Sequence, residues 1–337
     1  MKKKKIYIIY TGGTIGMKRS DKGYIPASGY LQKQILKIQK FYRKEVPNFK
    51  IKEYFPLIDS SNIRPKLWRK ICKDIKKNYI KYDGFIILHG TDTMAYTASA
   101  LSFALENLQK PVIITGSQIP LCEIRSDGFQ NLLNSLLIAA NYPINEVTLF
   151  FNNKLYRGNR TTKTNSDGLT AFSSPNLSYL LKVSINIKCI KKKYFYNNQK
   201  KLIVHKIYNQ PINIIFIYPG ISHKIIKNIF LKPIKAVILY SYGSGNAPQE
   251  KKFLKELIKA SNKNIIIINL TQCVFGTVNM KNYATGNSLF KIGVISGYDL
   301  TIEAALTKLQ FLFSKNISIK KIKKNMQKNL RGELTKS

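Results

Sequence analysis

The sequence predicts an α/β fold with a larger N-terminal domain on a mostly parallel, doubly wound sheet and a smaller C-terminal α/β domain. Short apolar runs recur along the chain, bounded by Gly, Asp or Asn and followed by helical patterns. Buried strands that alternate with helices form βαβ units, whose strands lie parallel in one sheet. The chain has 337 residues, and single cores stop growing at roughly 250–300 residues, which favours two domains.

The predicted strands are residues 6–10, 84–88, 112–115, 147–151, 212–218, 236–240 and 265–269. Their alternation with helices is clearest between residues 84 and 140. There the pattern predicts helices over residues 95–106 and 126–140, and Ser126 and Asp127 can cap the second helix.

The pattern lapses around residues 191–209, where lysines, tyrosines and asparagines follow no helical or strand periodicity beyond a possible short strand. We therefore predict a larger N-terminal α/β domain over residues 1–190, a linker over 191–211 and a smaller C-terminal α/β domain over 212–337. The sequence contains no internal repeat.

The chain is strongly basic, since 56 Lys and Arg residues against 17 Asp and Glu residues give a formal charge of +39. With 44% hydrophobic residues, it can still bury a large core, which excludes wholesale disorder. Such a charge invites a nucleic-acid interpretation. However, Ile, Asn, Tyr and Phe, which A/T-rich codons also encode, are abundant too. Compositional drift is the favoured cause, and we expect only nonspecific, salt-sensitive adsorption of nucleic acid.

The cysteines at positions 72, 122, 189 and 273 are widely separated and form no Cys-x-x-Cys or Cys/His cluster. This spacing argues against a metal site and favours free thiols in a reducing compartment. The charged start of the chain resembles that of a signal peptide, but the apolar run after it is too short and no cleavage site follows. No stretch reaches the roughly 18 apolar residues of a membrane span. We expect a soluble, cytoplasmic protein without metal, cofactor or membrane association.

Two Thr-rich motifs follow predicted strands, where open α/β sheets place their ligand sites. The first is Thr-Gly-Gly-Thr-Ile-Gly at residues 11–16, and the second is His-Gly-Thr-Asp-Thr at residues 89–93. The glycines could simply form tight turns, and the first motif is neither a dinucleotide fingerprint nor a P-loop. In a catalytic interpretation they let the backbone approach a substrate, while Thr14 presents a hydroxyl and Asp92 a carboxylate.

An activated hydroxyl needs a base. His89 precedes its loop on the strand, where a histidine is more often structural. Lys163 lies among small polar residues in the loop after the predicted strand 147–151. A desolvated lysine can act as a base, which makes Lys163 the candidate.

Together these motifs resemble the bacterial L-asparaginases. Residues 10–16, 59–62, 88–94, 160–166 and 241–248 carry the resemblance in the family's order, and it extends over essentially the whole chain. The missing signal peptide and the free cysteines resemble the cytoplasmic type I branch. The resemblance implies an amidohydrolase that converts L-asparagine to L-aspartate and ammonia through a threonine acyl-enzyme.

The resemblance also implies the roles of the site residues. Thr14 matches the nucleophile, and Thr91, Asp92 and Lys163 match a hydroxyl–carboxylate–lysine group that moves protons or activates water. Thr91 and Asp92 also match substrate-binding residues.

Other matched residues bind substrate or cover the site. Asp59 and Ser60 match the binders of the substrate's α-amino and α-carboxylate groups. Residues 16–29 resemble the family's mobile lid, and Tyr24 matches the lid tyrosine that approaches the nucleophile. The alternative is an ordinary surface loop in which Tyr24 has no catalytic role.

Asn246 matches a residue that family members donate to a neighbouring subunit's site, which implies a homo-oligomer, a dimer of dimers. The Gly-Asn-Ala-Pro sequence around it is equally suited to a turn, and both interpretations can hold.

Some type I members carry a second asparagine site that makes them cooperative. Thr271 and Cys273 match two of its residues, but Tyr240 stands where an arginine is expected. A phenol cannot replace a bidentate, charged guanidinium, so we expect weak or absent effector binding.

Two other functions stay open. The chain could be the asparaginase-like subunit of a tRNA-dependent amidotransferase or another RNA-associated amidohydrolase. That subunit normally carries an extra N-terminal domain, whereas here the Thr-Gly-Gly-Thr motif begins at residue 11. Alternatively, the chain keeps the fold without activity, which the presence of Thr14, Thr91, Asp92 and Lys163 disfavours.

Overall fold

The chain forms two compact α/β units, Met1–Ile207 and Tyr208–Ser337. The structure is a computed structural model that describes residues 3–190, 200–280 and 284–335. The first unit carries a mostly parallel sheet and the second a smaller parallel sheet, which confirms the predicted fold class. The predicted domain and linker bounds stay predictions, and residues 191–199 of that linker lie outside the described residues. Within the described ranges, no helix is long and apolar enough to cross a membrane.

The first unit combines one large sheet with three small strand pairs. Its strands are β1 (Lys5–Tyr10), β2 (Met17–Ser20), β3 (Gly23–Pro26), β4 (Asn48–Glu53), β5 (Gly84–Leu88), β6 (Leu105–Glu106), β7 (Val112–Thr115), β8 (Val147–Phe151), β9 (Lys154–Arg157), β10 (Thr162–Lys163), β11 (Phe172–Ser173), β12 (Leu181–Val183), β13 (Ile187–Cys189) and β14 (Ile203–Val204). Its helices are α1 (Tyr30–Lys37), α2 (Pro65–Asn78), α3 (Met94–Ala104) and α4 (Gly128–Asn141), and 3₁₀ turns span Thr14–Gly16, Gln39–Tyr42, Ser60–Asn62 and Gly158–Arg160.

The large sheet has the strand order β13-β12-β9-β8-β7-β5-β1-β4. Strands β4, β1, β5, β7 and β8 run parallel, and β9, β12 and β13 extend the sheet antiparallel. Every residue of β5 is buried, because α1 and α4 pack on one face and α3 packs on the other. The carboxyl ends of β1, β5 and β7 therefore meet at one edge of the sheet, where ligands bind in open α/β folds.

The second unit is a parallel sheet between helices. Its strands, in spatial order, are β15 (Ile212–Phe216), β16 (Ala236–Ser241), β17 (Ile266–Thr271) and β18 (Ile295–Ser296). Its helices are α5 (His223–Ile229), α6 (Lys251–Asn262), α7 (Ala284–Ile292), α8 (Ile302–Phe313) and α9 (Ile319–Met326). A fully buried ion pair between Lys308 and Glu333, 2.5 Å from nitrogen to oxygen, fixes α8 to the C-terminal segment.

The predicted helix over residues 95–106 is wrong at its end. Helix α3 ends at Ala104, and the next two residues form β6, which pairs with β14 inside the predicted linker. The Ala104 carbonyl accepts the amide of His205 at 2.8 Å, and Asn107 turns the chain with a φ of 61°. This pairing joins residues about a hundred positions apart, so local periodicity could not reveal it. Strand β4 was also missed, because Lys50 and Lys52 interrupt its apolar pattern.

Candidate active site

Three loops beyond strands β1, β4 and β5 pack closely together. A Cβ added to Gly13 would overlap the backbone of Gly90, and one added to Gly90 would overlap the side chain of Ser60. Gly13 has a φ of 95°, which glycine adopts without strain. Both the amide and the hydroxyl of Thr11 donate to the Leu88 carbonyl, each at 3.0 Å. The Thr-Gly-Gly-Thr loop is therefore fixed against the His-Gly-Thr-Asp-Thr loop.

Thr14 begins the 3₁₀ turn that follows this close contact. Its side chain is partly buried, whereas Ile15 and Gly16 after it are buried. The fixed backbone before it and the buried residues after it hold Thr14 at the carboxyl end of β1. A hydroxyl in this position can meet a ligand that binds at the edge of the sheet.

Thr91, Asp92 and Lys163 form one hydrogen-bonded group. The Lys163 ammonium donates to Thr91 Oγ1 at 2.9 Å and to Asp92 Oδ1 at 2.8 Å. Thr91 is buried, the side chain of Lys163 is 20% exposed and that of Asp92 is 63% exposed. Because the Thr91 oxygen accepts from Lys163, its own proton is available to a third group. The arrangement can move a proton between the buried hydroxyl and a ligand.

A short hairpin brings Lys163 to the β5 loop, 71 residues from Asp92 in sequence. Strands β10 and β11 pair antiparallel, with Lys163 opposite Phe172. The Phe172 ring packs against Phe151 at the end of β8, 5.1 Å between ring centres. The amide of Thr164 donates to the Ala171 carbonyl at 2.9 Å. An aromatic contact on the central sheet thus sets the position of the lysine.

His89 braces its loop as a neutral imidazole. Its Nδ1 lies 2.7 Å from the Gly90 carbonyl, which can only accept, so Nδ1 carries the proton. Its Nε2 accepts from the Thr97 hydroxyl at 2.9 Å, and that hydroxyl accepts from Trp68 Nε1 at 3.0 Å. Complete burial lowers the pKa of His89 to about 4. The ring is fully hydrogen-bonded and uncharged at neutral pH, which suits a structural role.

Asp59 and Ser60 lie in the turn beyond β4. Asp59 is exposed, and its Oδ1 accepts from the amide and the hydroxyl of Ser61, both at 2.9 Å. Ser60 is buried, and its carbonyl accepts the Thr93 hydroxyl at 2.7 Å. The structure therefore joins this turn to the second Thr-rich motif.

Tyr24 lies on the hairpin of β2 and β3, within the predicted lid. Its side chain is 45% exposed. Loss of hydration and the neighbouring Glu123 carboxylate raise the pKa of the Tyr24 hydroxyl. The start of the hairpin is held where the Leu121 amide donates to the Ile15 carbonyl at 3.1 Å.

Residues 118–127 follow β7 at the same edge of the sheet, and sequence reasoning predicted only a helix cap there. Gln118 Nε2 donates to the Ser166 carbonyl at 3.1 Å, next to the Lys163 hairpin. The Asp127 carboxylate accepts the amides of Gln118 and Ile119, and burial raises the pKa of Asp127. Asp127 is the N-cap residue of α4 but makes no side-chain capping hydrogen bond, whereas the Ser126 hydroxyl accepts the Gly128 amide at 3.0 Å. The sequence did contain one signal for these residues, since they follow the predicted strand 112–115.

Asn246 belongs to the second unit, where it closes a tight turn. Its amide donates to the Tyr242 carbonyl at 2.8 Å, and its carbonyl accepts the Tyr242 amide at 3.0 Å. The side-chain oxygen accepts the Thr285 hydroxyl at 2.8 Å. The predicted turn is present, and the side-chain amide has a defined orientation.

The three predicted effector residues also lie in the second unit. Tyr240 is on β16 and Thr271 ends β17, and the Cys273 amide donates to the Thr271 hydroxyl at 3.0 Å. The Tyr240 ring lies 5.5 Å from the ring of Phe216. Burial, followed by the charges of Glu303 and Cys273, raises the pKa of Tyr240. The carboxyl end of β16 therefore presents the neutral phenol of Tyr240 near the carboxylate of Glu303.

Within the part of the chain that the structure describes, no group of three or more His, Cys, Asp or Glu side chains could hold a metal ion.

Sequence profiles and known proteins place this arrangement in a family. The profile "Asparaginase, N-terminal" matches residues 5–195, and "Glutaminase/Asparaginase C-terminal domain" matches residues 211–326. The chain is 60% identical to L-asparaginase 1 of Escherichia coli strain K12 over 99% of each chain. It is similar to the crystal structure of L-asparaginase I from Vibrio cholerae, with a TM-score of 0.93 and 55% identity, over 99% of this chain and 100% of the other.

A further relative carries a different name. A glutamyl-tRNA(Gln) amidotransferase subunit from Methanobrevibacter smithii is 32% identical, over 85% of this chain and 67% of its own length.

Gly13→Ala should destabilise the chain more than Gly23→Ala does. Both glycines have φ above 90°, so both substitutions add backbone strain of about 1–2 kcal/mol. Only Gly13 faces another backbone, while nothing lies within 4 Å of a Cβ at Gly23. We expect Gly13→Ala to lose about 1–3 kcal/mol more, the usual cost of overpacking. Urea unfolding of both variants measures this difference, and equal losses would contradict the close packing.

The free energy of unfolding should fall as the pH is lowered from 7 to 5. The folded pKa of His89, about 4, lies below the unfolded value of 6.5. Between these values the unfolded chain binds the additional proton, so stability is complete above pH 6.5 and declines below it. The expected loss is about 2 kcal/mol. Urea unfolding at both pH values measures it, and His89→Gln should lose less stability over the same interval. An unchanged difference in that variant would exclude His89 as the source.

Proposed function

The chain belongs to the asparaginase family of amidohydrolases, and from that premise we propose that it hydrolyses L-asparagine to L-aspartate and ammonia. The relatives at 60% and 55% identity, both named L-asparaginase, support this substrate. The observation that carries the proposal is the contact of the Lys163 ammonium with Thr91 and Asp92, at the sheet edge that also holds Thr14.

In the first step, the Thr14 hydroxyl attacks the side-chain amide carbon of asparagine. The new bond joins Thr14 Oγ1 to that carbon, and collapse of the tetrahedral intermediate breaks the carbon–nitrogen bond. The threonine proton leaves with the nitrogen as ammonia, and a β-aspartyl ester stays on Thr14. Backbone amides of the fixed loops stabilise the oxyanion, because their dipoles need no reorganisation.

In the second step, water attacks the ester carbon and frees aspartate and the Thr14 hydroxyl. The Thr91–Lys163–Asp92 group supplies the proton transfers of both steps. Lys163 polarises the Thr91 hydroxyl, which passes the proton of Thr14 to the departing nitrogen in the first step. In the second step the same hydroxyl passes a proton of the attacking water to Thr14 Oγ1 as the ester bond breaks. Asp92 offsets the ammonium charge of Lys163, with which it is in contact.

Exposed carboxylates hold the ammonium of the substrate. Asp59 and Asp92 lie on loops joined through Thr93 and Ser60, and both side chains are exposed. They can bind the α-ammonium of asparagine, while Ser60 binds its α-carboxylate. Because the α-ammonium and the α-carboxylate of the substrate are bound at separate positions, the substrate amide is oriented toward Thr14.

The hairpin of β2 and β3 acts as the lid. The pKa of the Tyr24 hydroxyl is raised above its ordinary value. The hydroxyl is protonated at neutral pH, so Tyr24 can donate a hydrogen bond near Thr14 when the hairpin closes. Closure excludes water and completes the catalytic group.

The functional assembly is a homo-oligomer, a dimer of dimers, in which Asn246 completes a neighbouring site. The contact of its side-chain oxygen with Thr285 supports this role, because it fixes the direction of the amide. The assembly acts in the cytoplasm, as the similarity to type I relatives suggests.

The second asparagine site binds its effector weakly or not at all. Tyr240 stands where the effector's carboxylate needs a guanidinium, and Glu303 beside it would repel that carboxylate. Velocity should therefore rise with asparagine concentration along a hyperbola.

Ammonia release from free L-asparagine, in steady state and without tRNA, tests the activity. We expect turnover without tRNA and a hyperbolic concentration dependence. A chain that releases ammonia only when tRNA is present would instead be part of an amidotransferase, as the name of the relative at 32% identity describes. A sigmoidal curve that Thr271→Val makes hyperbolic would show that the effector site is intact.

Substitutions separate the nucleophile from the proton-transfer group. Thr14→Ala should lower kcat at least about 10³-fold while aspartate still binds, because only the attacking oxygen is lost. Lys163→Met should lower kcat by about 10²–10⁴-fold, as expected for loss of acid–base catalysis. Lys182→Met, an exposed lysine on β12, is the matched control and should keep full activity. An unchanged kcat in Thr14→Ala would refute the nucleophile.

A further inference from the structure

The lid, residues 16–29, is held at its second end by one carboxylate. Glu53 Oε1 accepts the Ser28 hydroxyl at 2.6 Å and the Gly29 amide at 2.9 Å, and Glu53 Oε2 accepts the same amide at 3.1 Å. A charged acceptor makes stronger hydrogen bonds than a neutral one. Gly29 has a φ of 71°, which glycine adopts without strain, so the chain turns there from the lid into α1.

The strand that carries Glu53 gives this contact a rigid support. Glu53 ends β4 and lies opposite Tyr10, the last residue of β1. The next residue, Tyr54, is buried and donates its amide to the Tyr10 carbonyl at 2.9 Å. The Tyr54 hydroxyl donates to Asp74 Oδ2 on α2 at 2.6 Å. The carboxylate of Glu53 therefore keeps its place on the sheet while the lid moves.

The first end of the lid is held by the loop after β7 instead. The Leu121 amide donates to the Ile15 carbonyl at 3.1 Å, and the Cys122 thiol donates to the Met17 carbonyl at 3.6 Å. The lid contributes only backbone carbonyls to these two bonds, and Glu53 takes no part in them. Replacement of Glu53 can therefore release the second end while the first end stays in place.

Tyr24 lies between the two held ends, on β3. This strand pairs only with β2 among the described residues. A two-stranded hairpin is marginally stable by itself, so the direction of β3 depends on how its ends are attached. Ser28 and Gly29 follow β3 closely in sequence. Their attachment to Glu53 thus sets the path along which Tyr24 moves.

We propose that Glu53 is a positioning residue for asparagine hydrolysis, because it anchors the lid so that closure carries Tyr24 to Thr14. The inference deepens the proposed function and rests on it, since the hairpin must act as the lid. Glu53 acts through the lid and does not enter the chemistry. Asp59 and Ser60 follow it in the same segment. A lid anchored on that segment closes in a fixed relation to the residues that hold the substrate.

Steady-state kinetics separate this role from substrate binding. Glu53→Ala should lower kcat about 10–100-fold, because fewer enzyme–substrate complexes reach the closed lid. KM should rise at most about threefold, since the residues that bind the substrate are unchanged. Glu53→Gln should keep at least about a third of the wild-type kcat, because one amide oxygen can accept both bonds that Oε1 accepts. Glu45→Ala removes an exposed glutamate before β4 and is the matched control, with full activity expected.

Ser28→Ala tests the partner of the anchor. It should lower kcat by a smaller factor than Glu53→Ala, because the Gly29 amide still donates to the carboxylate. When Glu53→Ala is already present, Ser28→Ala should add no further loss, since two residues in one hydrogen bond are not independent. Effects that multiply in the double variant would contradict the contact.

Limited digestion with trypsin reports on the lid without any turnover. Lys18 and Arg19 on β2 and Lys22 in the turn after it are exposed. Trypsin should cut after them about tenfold faster in Glu53→Ala than in the wild type or Glu53→Gln, because cleavage requires local opening. Mass spectrometry assigns each cut. A variant cut throughout the chain would have lost its fold, and Ser28→Ala, which removes only a hydroxyl, then decides.

The two measurements distinguish the anchor from the proposed function. Wild-type kcat and wild-type cleavage in Glu53→Ala would overturn the anchor and leave asparagine hydrolysis standing. So would a Glu53→Gln variant as impaired as Glu53→Ala, or a loss confined to KM. A wild-type chain that does not hydrolyse asparagine would overturn the proposed function and the role of Glu53 in it, whereas the digestion would still show whether Glu53 holds the lid.

Discussion

The close packing of Gly13 on Gly90 is the constraint on which the site depends. It brings the loops after β1 and β5 so near that neither position has space for a Cβ. Thr14 and Thr91 follow these two glycines directly in sequence, so the backbone contact carries both hydroxyls to one region. Hydrogen bonds of His89, Thr97 and Trp68 also hold the second loop in position. Rigid backbone thus places the hydroxyls before any substrate binds.

Charges at the site divide into a partly buried cation and exposed anions. Lys163 is largely covered and is held by Thr91 and Asp92, whereas Asp92 and Asp59 keep access to solvent. A charge that leaves water needs a close partner, and Asp92 provides one at 2.8 Å. The exposed carboxylates can then exchange water for a ligand's ammonium at small cost. A largely buried ammonium beside exposed carboxylates is suited to binding a small zwitterion and to transferring protons.

The large positive charge of the chain is a property of its surface and not of its site. Lysines occupy the faces of helices such as α2 and α9, and Lys50 and Lys52 lie on the edge strand β4.

The sequence by itself determined the fold class, the seven strands predicted from apolar runs and the motifs that carry Thr14, Thr91 and Asp92. Apolar periodicity reports burial, and motifs are local, so both can be read along the chain. It could not reveal that β6 pairs with β14, or that Phe172 on Phe151 places Lys163 beside Thr91. Nor could it single out residues 118–127 as the neighbours of Tyr24 and of the Lys163 hairpin. Only the tertiary structure decided these, because each joins distant residues by packing and leaves no periodic signal in either segment.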